Sequence, residues 1–260
     1  MSLIVSNFAS EGGHWYLPDG APFYTIIGAN GVERPVTLRD ARKVMAVPSV
    51  TTITKCAAAP GLENWKLQQM KLAALTLPRK EGESEKDWLD RVDQDSREQA
   101  KKAAERGSTV HGWLESFYRG EQPSEEAWPF VNAVKEVIER ETGMHDWRPE
   151  KSFCHPLGYG GKCDLHSDLW VIDYKTKNQI EDGKKLAWDE HAMQLAAYRE
   201  GFRIPKARCA NVFVTTTEPV KVVWHEHEAE ELERGWEMFK TLLRYWQIKN
   251  RYVPELKVAA

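Results

Sequence analysis

The chain has 260 residues, of which 42% are hydrophobic and 29% charged, and its net charge is −3. That is enough to bury a substantial core, and the balance is that of a soluble globular protein, not a disordered or fibrous one. No apolar run approaches the ~20 residues of a membrane span, the opening MSLIVSNFASEGG lacks a signal peptide's charged start and apolar stretch, and Cys56, Cys154, Cys163 and Cys209 show no CxxC spacing. A cytoplasmic protein with reduced thiols and no membrane partner is the expectation.

Residues 14–28 read as two short strands around the turn Pro18-Asp19-Gly20. Ser49 or Thr51 is placed to cap a short helix that breaks at Pro60-Gly61. A helical pattern covers 62–77, and 79–87 is charged and rich in breakers. A long, mostly helical segment runs from Ser84 to Tyr118, with Gly107 as a candidate break. An amphipathic helix follows over 124–142, with Ser124 as its cap and Gly143 as its stop. Strands are expected at 148–155, 158–166 and 169–176, a helix at 187–201, strands at 208–217 and 220–227, and a last helix at 228–249. This order predicts an α/β fold, a mixed central sheet flanked by helices. One domain is expected, with a core over about 105–250 and an N-terminal β and helical extension over about 1–104.

The stretch Gly160–Lys177, GGKCDLHSDLWVIDYKTK, carries the most chemistry. Its apolar residues fit a hairpin turning at His166-Ser167-Asp168. Strand residues two apart share a face, so Asp173 and Lys175 project together and Tyr174 points away. The hairpin brings Asp164 beside Asp173. Two carboxylates and an ammonium on one face favour a cation or a substrate charge, and hard oxygen ligands suit Mg²⁺ or Mn²⁺. The plainer alternative is a solvated cross-strand ion pair. The apolar run Trp170-Val171-Ile172 leading into Asp173 weighs against it.

Two helices carry polar pairs four residues apart, His111 with Glu115 and Gln194 with Tyr198. His111 is either a ligand or a partner of Glu115. Gln194 is either a satisfied core amide or a group reaching the site. Glu150 begins a strand that faces the same cleft. Lys177, Lys184 and Lys185 form a candidate basic lining for DNA, and some of the 11 Trp are candidates to stack on bases. Glycine-rich phosphate loops, GxSxG and HExxH are all absent from the sequence.

Taken in order, Gly107 to Glu115, Glu150, Gly161 to Asp164, Asp173 to Thr176 and Gln194 to Tyr198 resemble the motifs of the PD-(D/E)XK nuclease superfamily in its RecB-like branch. The segment PSVTTI, followed by Pro60-Gly61-Leu62 and Asn64-Trp65, is similar to phage-encoded members. The resemblance implies a restriction-endonuclease-like core and a metal-dependent DNA exonuclease used in recombination, repair or phage DNA processing. It implies Mg²⁺ or Mn²⁺ held by His111, Asp164, Asp173 and the Tyr174 carbonyl. Lys175 would act in catalysis, Gln194 and Tyr198 would support the site, and Ser49 would join the DNA contacts. The implied partners are DNA ends and a single-strand annealing or recombination protein. An endonuclease and an inactive DNA-binding module are the alternatives. Cys163 stands where the literal motif has Pro, and the third position is Asp173, not Glu. The cysteine layout differs from that of cluster-bearing relatives, so no iron–sulfur cluster is expected.

Overall fold

A computed structural model of the protein describes residues 14–57 and 60–256. The N-terminal part contains β1 (Trp15–Tyr16), β2 (Thr25–Ile27), β3 (Glu33–Pro35), α1 (Leu38–Lys43), β4 (Val47–Pro48), α2 (Val50–Thr54) and α3 (Pro60–Thr76). Two helices follow, α4 (Glu85–Tyr118) and α5 (Trp128–Thr142), then β5 (Arg148–His155), β6 (Tyr159–His166) and β7 (Trp170–Lys177). The chain closes with α6 (Asp189–Gly201), β8 (Arg208–Thr215), β9 (Val222–His227) and α7 (Ala229–Asn250).

The central sheet has five strands in the order β5-β6-β7-β8-β9. Its pairs are antiparallel except β7 with β8, which run parallel. A parallel pair needs a crossover, and α6 supplies it. The expected mixed sheet flanked by helices is therefore present. Its alternating residues feed two apolar layers. Val171 and Cys209 pack toward α6 and α7 with Leu195, Phe239 and Leu243. Ile172, Tyr174, Val212 and Val214 pack toward α4 and α5 with Val110, Leu114 and Val134. Strands buried on both faces read as continuous apolar runs, as β8 does.

The two short strands expected within 14–28 form around their turn, with Gly20 at φ 88° and the Phe23 N–H donating to the Trp15 carbonyl at 2.8 Å. Their ladder partners, β4 for β1 and β3 for β2, lie further along the chain. Two expectations need correction. Ser124 does not cap α5 with its side chain; Ala127 occupies the cap and Pro129 fills the first turn. Gly107 does not break α4, which runs unbroken for 34 residues. A Cβ there would stand 2.6 Å from Thr176 Oγ1. Glycine is used for the close approach of α4 to β7, with Val110 and Leu114 continuing the same buried stripe.

The N-terminal segment packs on β6. Ser49 bridges to Gly160, and a Cβ on Gly160 would meet Tyr16 at 2.8 Å. Ser49 is buried, and its hydroxyl accepts the Thr52 N–H at 3.0 Å as the cap of α2. The capping expectation holds. The same hydroxyl lies 3.0 Å from Thr51 Oγ1 and 2.8 Å from Thr52 Oγ1, so a contact with DNA would compete with these partners.

Candidate active site

The site is created where two strands part. β6 and β7 form ladder pairs only at Leu165–Ile172 and His166–Val171, next to the hairpin turn, whereas β7 stays paired with β8 along its whole length. At the fork the side chain of Asp164 takes over from the ladder: its Oδ2 accepts the Tyr174 N–H at 2.7 Å. The Cys163 thiol donates to the Ile172 carbonyl at 3.3 Å. Backbone groups freed by the fork thus keep partners, as buried groups must.

From the α4 side, His111 Nδ1 lies 3.5 Å from Asp164 Oδ1, with its ring edge against Tyr174. Burial alone would raise the Asp164 carboxyl, but His111 and the Tyr174 N–H outweigh it and hold it below its ordinary range. Burial likewise pulls His111 down, and Asp164 with Asp173 lifts it to a net rise. Glu115 turns to Arg119 instead. The pair of His111 with Glu115 does not form, and the imidazole lies beside the Asp164 carboxylate.

Asp173 lies on the opposite face from Tyr174, as the strand period requires, and is 4% exposed. Lys175 Nζ stands 2.6 Å from its Oδ2. Gln194 on α6 donates to Asp173 Oδ1 at 2.9 Å, accepts from Lys175 at 2.9 Å, and donates to the Tyr198 hydroxyl at 2.9 Å. The i, i+4 spacing makes this possible, since both side chains cover one face of α6. Burial raises the Asp173 carboxyl and Asp164 adds to it; Lys175 opposes, and the net shift is upward. One acid pushed down beside another pushed up is the pattern of groups with divided roles.

A further partner was not anticipated. Asn211 on β8, fully buried, donates to Asp173 Oδ2 at 2.8 Å and to the Asp173 carbonyl at 3.3 Å. Its carbonyl oxygen meets His227 Nε2 at 2.8 Å. An Asn inside the apolar run Cys209-Ala-Asn-Val-Phe-Val was the available signal, because a buried amide needs partners.

Other expected members fall elsewhere. Glu150 adopts a left-handed φ of 52° between the paired residues Pro149 and Lys151, and its carboxylate pairs with Lys162 instead of joining Asp173. Lys177 is exposed at the end of β7. Lys184 pairs with Glu181 at 2.6 Å, and Lys185 lies over the Trp188 ring at 4.8 Å. Both line a cavity of about 270 Å³ whose walls do not include Asp164, Asp173 or Lys175. They do not adjoin the hairpin because the β7–α6 loop carries them toward β9 and α7.

The donors expected for a metal are of the right kind, namely two carboxylates and an imidazole. They are not closely gathered: among the described residues, the His, Cys, Asp and Glu group whose ligand atoms lie within 4.8 Å of one another is His225, His227 and Glu231. Three donors occupy Asp173, and Asp164 leans on the backbone. The second lone pairs of Asp164 Oδ2 and Asp173 Oδ1, with Asp164 Oδ1 beside His111, are the ones left to a cation.

No protein-family model matches the chain, and no curated protein does. Among solved structures, a candidate exonuclease from Eubacterium rectale is similar at 14% identity and TM-score 0.41, covering 58% of this chain and 69% of that one. An alkaline exonuclease from Laribacter hongkongensis is similar at 16% identity and TM-score 0.29, covering 55% of this chain and 84% of that one. At these values neither activity transfers to this chain. Among the described residues no helix is long and apolar enough to cross a membrane.

Proposed function

We propose that this chain is a Mg²⁺- or Mn²⁺-dependent deoxyribonuclease, an exonuclease acting on ends of linear DNA in recombination, repair or phage DNA processing. The observation that carries the reading is the gathering of Asp173, Lys175, Gln194 and Tyr198 around one buried carboxylate at the fork that exposes Asp164. A sheet that opens at its centre, with two acids and an ammonium in the opening, suits a phosphodiester better than a neutral ligand. His111, Asp164, Asp173 and the Tyr174 carbonyl would hold the metal. When bound, the metal would supply Lewis acidity and a more acidic water.

The residues themselves divide the work. Asp173 fixes the Lys175 ammonium, and Gln194 fixes it from a second side. A cation so held acts without reorganising as charge develops on phosphate oxygens or on the attacking water. Tyr198 and Asn211 keep Gln194 and Asp173 in place. The reading includes a cytoplasmic location and a single-strand annealing or recombination protein as partner, within a single nuclease domain.

The test is digestion of linear and closed circular plasmid in Mg²⁺, in Mn²⁺ and in chelator. Metal-dependent loss of linear DNA with intact circles is the expected result. Nicked circles would make the protein an endonuclease. Binding without cleavage would make it an inactive module, and no binding would remove DNA from the reading.

A further inference from the structure

His225 and His227 alternate along β9, and Glu231 follows in the first turn of α7. The two rings stand 4.7 Å apart at 81°. Their ligand atoms and that of Glu231 lie within 4.8 Å of one another. The group borders the cavity of about 270 Å³ described above, away from Asp164 and Asp173.

The decisive feature is which nitrogen of His227 carries the proton. Asn211 gives its N–H groups to two acceptors, the carbonyl and carboxylate of Asp173. Its orientation is thereby set, and its oxygen faces His227 Nε2 at 2.8 Å. An oxygen there requires Nε2 to donate, so in the neutral ring Nδ1 keeps its lone pair. His227 is 4% exposed, and Nδ1 is buried with no hydrogen-bond partner. Glu231 Oε2, which accepts the Glu228 N–H at 3.2 Å, lies 3.5 Å away. Two acceptors facing each other at that distance repel unless a cation lies between them.

We propose that His225, His227 and Glu231 form a second metal site, one for Zn²⁺, separate from the Asp164–Asp173 centre. Two imidazoles and one carboxylate are borderline donors that favour Zn²⁺ over Mg²⁺. Ligands about 2.0–2.1 Å from a tetrahedral zinc stand roughly 3.3 Å apart, close to the 3.5 Å between His227 Nδ1 and Glu231 Oε2. Asn211 supplies the outer-shell bond that fixes tautomer and ring plane, as partners of ligating histidines do. The cavity gives an entry path and leaves a fourth position open.

The test is calorimetric titration of Zn²⁺ into the full-length protein carrying Asp164→Ala, which weakens the other centre. One equivalent should bind. Adding His225→Ala or Glu231→Gln should weaken that binding by roughly 100-fold or more, at least the loss seen on removing an outer-shell partner. Both positions are only half-buried, so the fold should survive, as circular dichroism checks. Should Asp164→Ala not fold, the same substitutions in the wild-type chain should each lower the Zn²⁺ stoichiometry by one. A folded protein that takes up no Zn²⁺, or Zn²⁺ affinity unchanged in both variants, overturns the site.

Discussion

Asp173 and His227 share one neighbour, the amide of Asn211, and their surroundings differ in sign. Around Asp173 the groups are donors: Lys175, Gln194 and Asn211 converge on one carboxylate. Beside His227 Nδ1, at 3.5 Å, lies an acceptor, Glu231 Oε2. The first cluster compensates its charge with protein groups alone, so a cation there shares ligands already engaged. The second has acceptors without a donor between them, so a cation would supply what the protein does not. Burying a charge is tolerable either way, provided that something of opposite sign is near.

Removing the carboxylate of the first cluster should have the largest effect. Asp173→Ala should reduce metal-dependent DNA cleavage by roughly 10³-fold or more, since it takes away an expected ligand and the anchor of Lys175 at once. Single-turnover cleavage reads this, with circular dichroism as the check on folding. Wild-type rates would place the chemistry elsewhere.

Lys175→Ala should lower kcat by roughly 10²-fold, the scale of one preorganised electrostatic group, while DNA affinity in Ca²⁺ changes little. The exposed Lys177 should behave the other way, its alanine variant weakening binding in a salt-dependent manner and sparing kcat. The reverse pattern would exchange their roles.

Asn211→Ala separates the clusters. Cleavage should drop by about 10- to 100-fold, the usual range for an outer-shell partner, and stability by roughly 1–3 kcal/mol, because groups on Asp173 and His227 lose their bonds. Denaturant unfolding measures the second quantity. An unchanged midpoint would show that the two clusters are not linked through this amide.

The smallest effect concerns pH. His191 on α6 lies within the fields of both clusters. Burial first, then Lys175, Lys177, His227 and His225, lowers its pKa from 6.5 to about 3. Its Nδ1 accepts the Trp188 N–H at 3.1 Å, which only the unprotonated nitrogen can do. A folded pKa below the unfolded one means that the unfolded chain binds more protons in between. His191's contribution is therefore complete above pH 6.5 and shrinks as pH falls toward 3. His191→Asn keeps an acceptor without a titrating proton and should flatten stability against pH in that window. An identical slope in both proteins would remove His191 from the account.

Where the sequence carried a period, the fold was legible. The nine elements described after residue 84 follow apolar spacings of two or of three and four or, in β8, a continuous apolar run, and their bounds fall close to those expected. The same period placed Asp173 and Lys175 on one face and Gln194 above Tyr198, all inside regular elements. Gly107 was misread because a helix glycine looks like a breaker until the strand that presses on it is known.

The sequence by itself determined the element order, the mixed sheet, the shared face of Asp173 and Lys175 and that of Gln194 and Tyr198, because local periodicity controls which neighbours along the chain share a face. Tertiary structure alone decided that β6 and β7 part at Asp164, that α4 delivers His111 to that acid and not to Glu115, and that Asn211 joins Asp173 to His227. The contacts of His111 and Asn211 link residues 16 to 53 positions apart. They depend on where whole strands and helices come to rest, which packing fixes and no local spacing records.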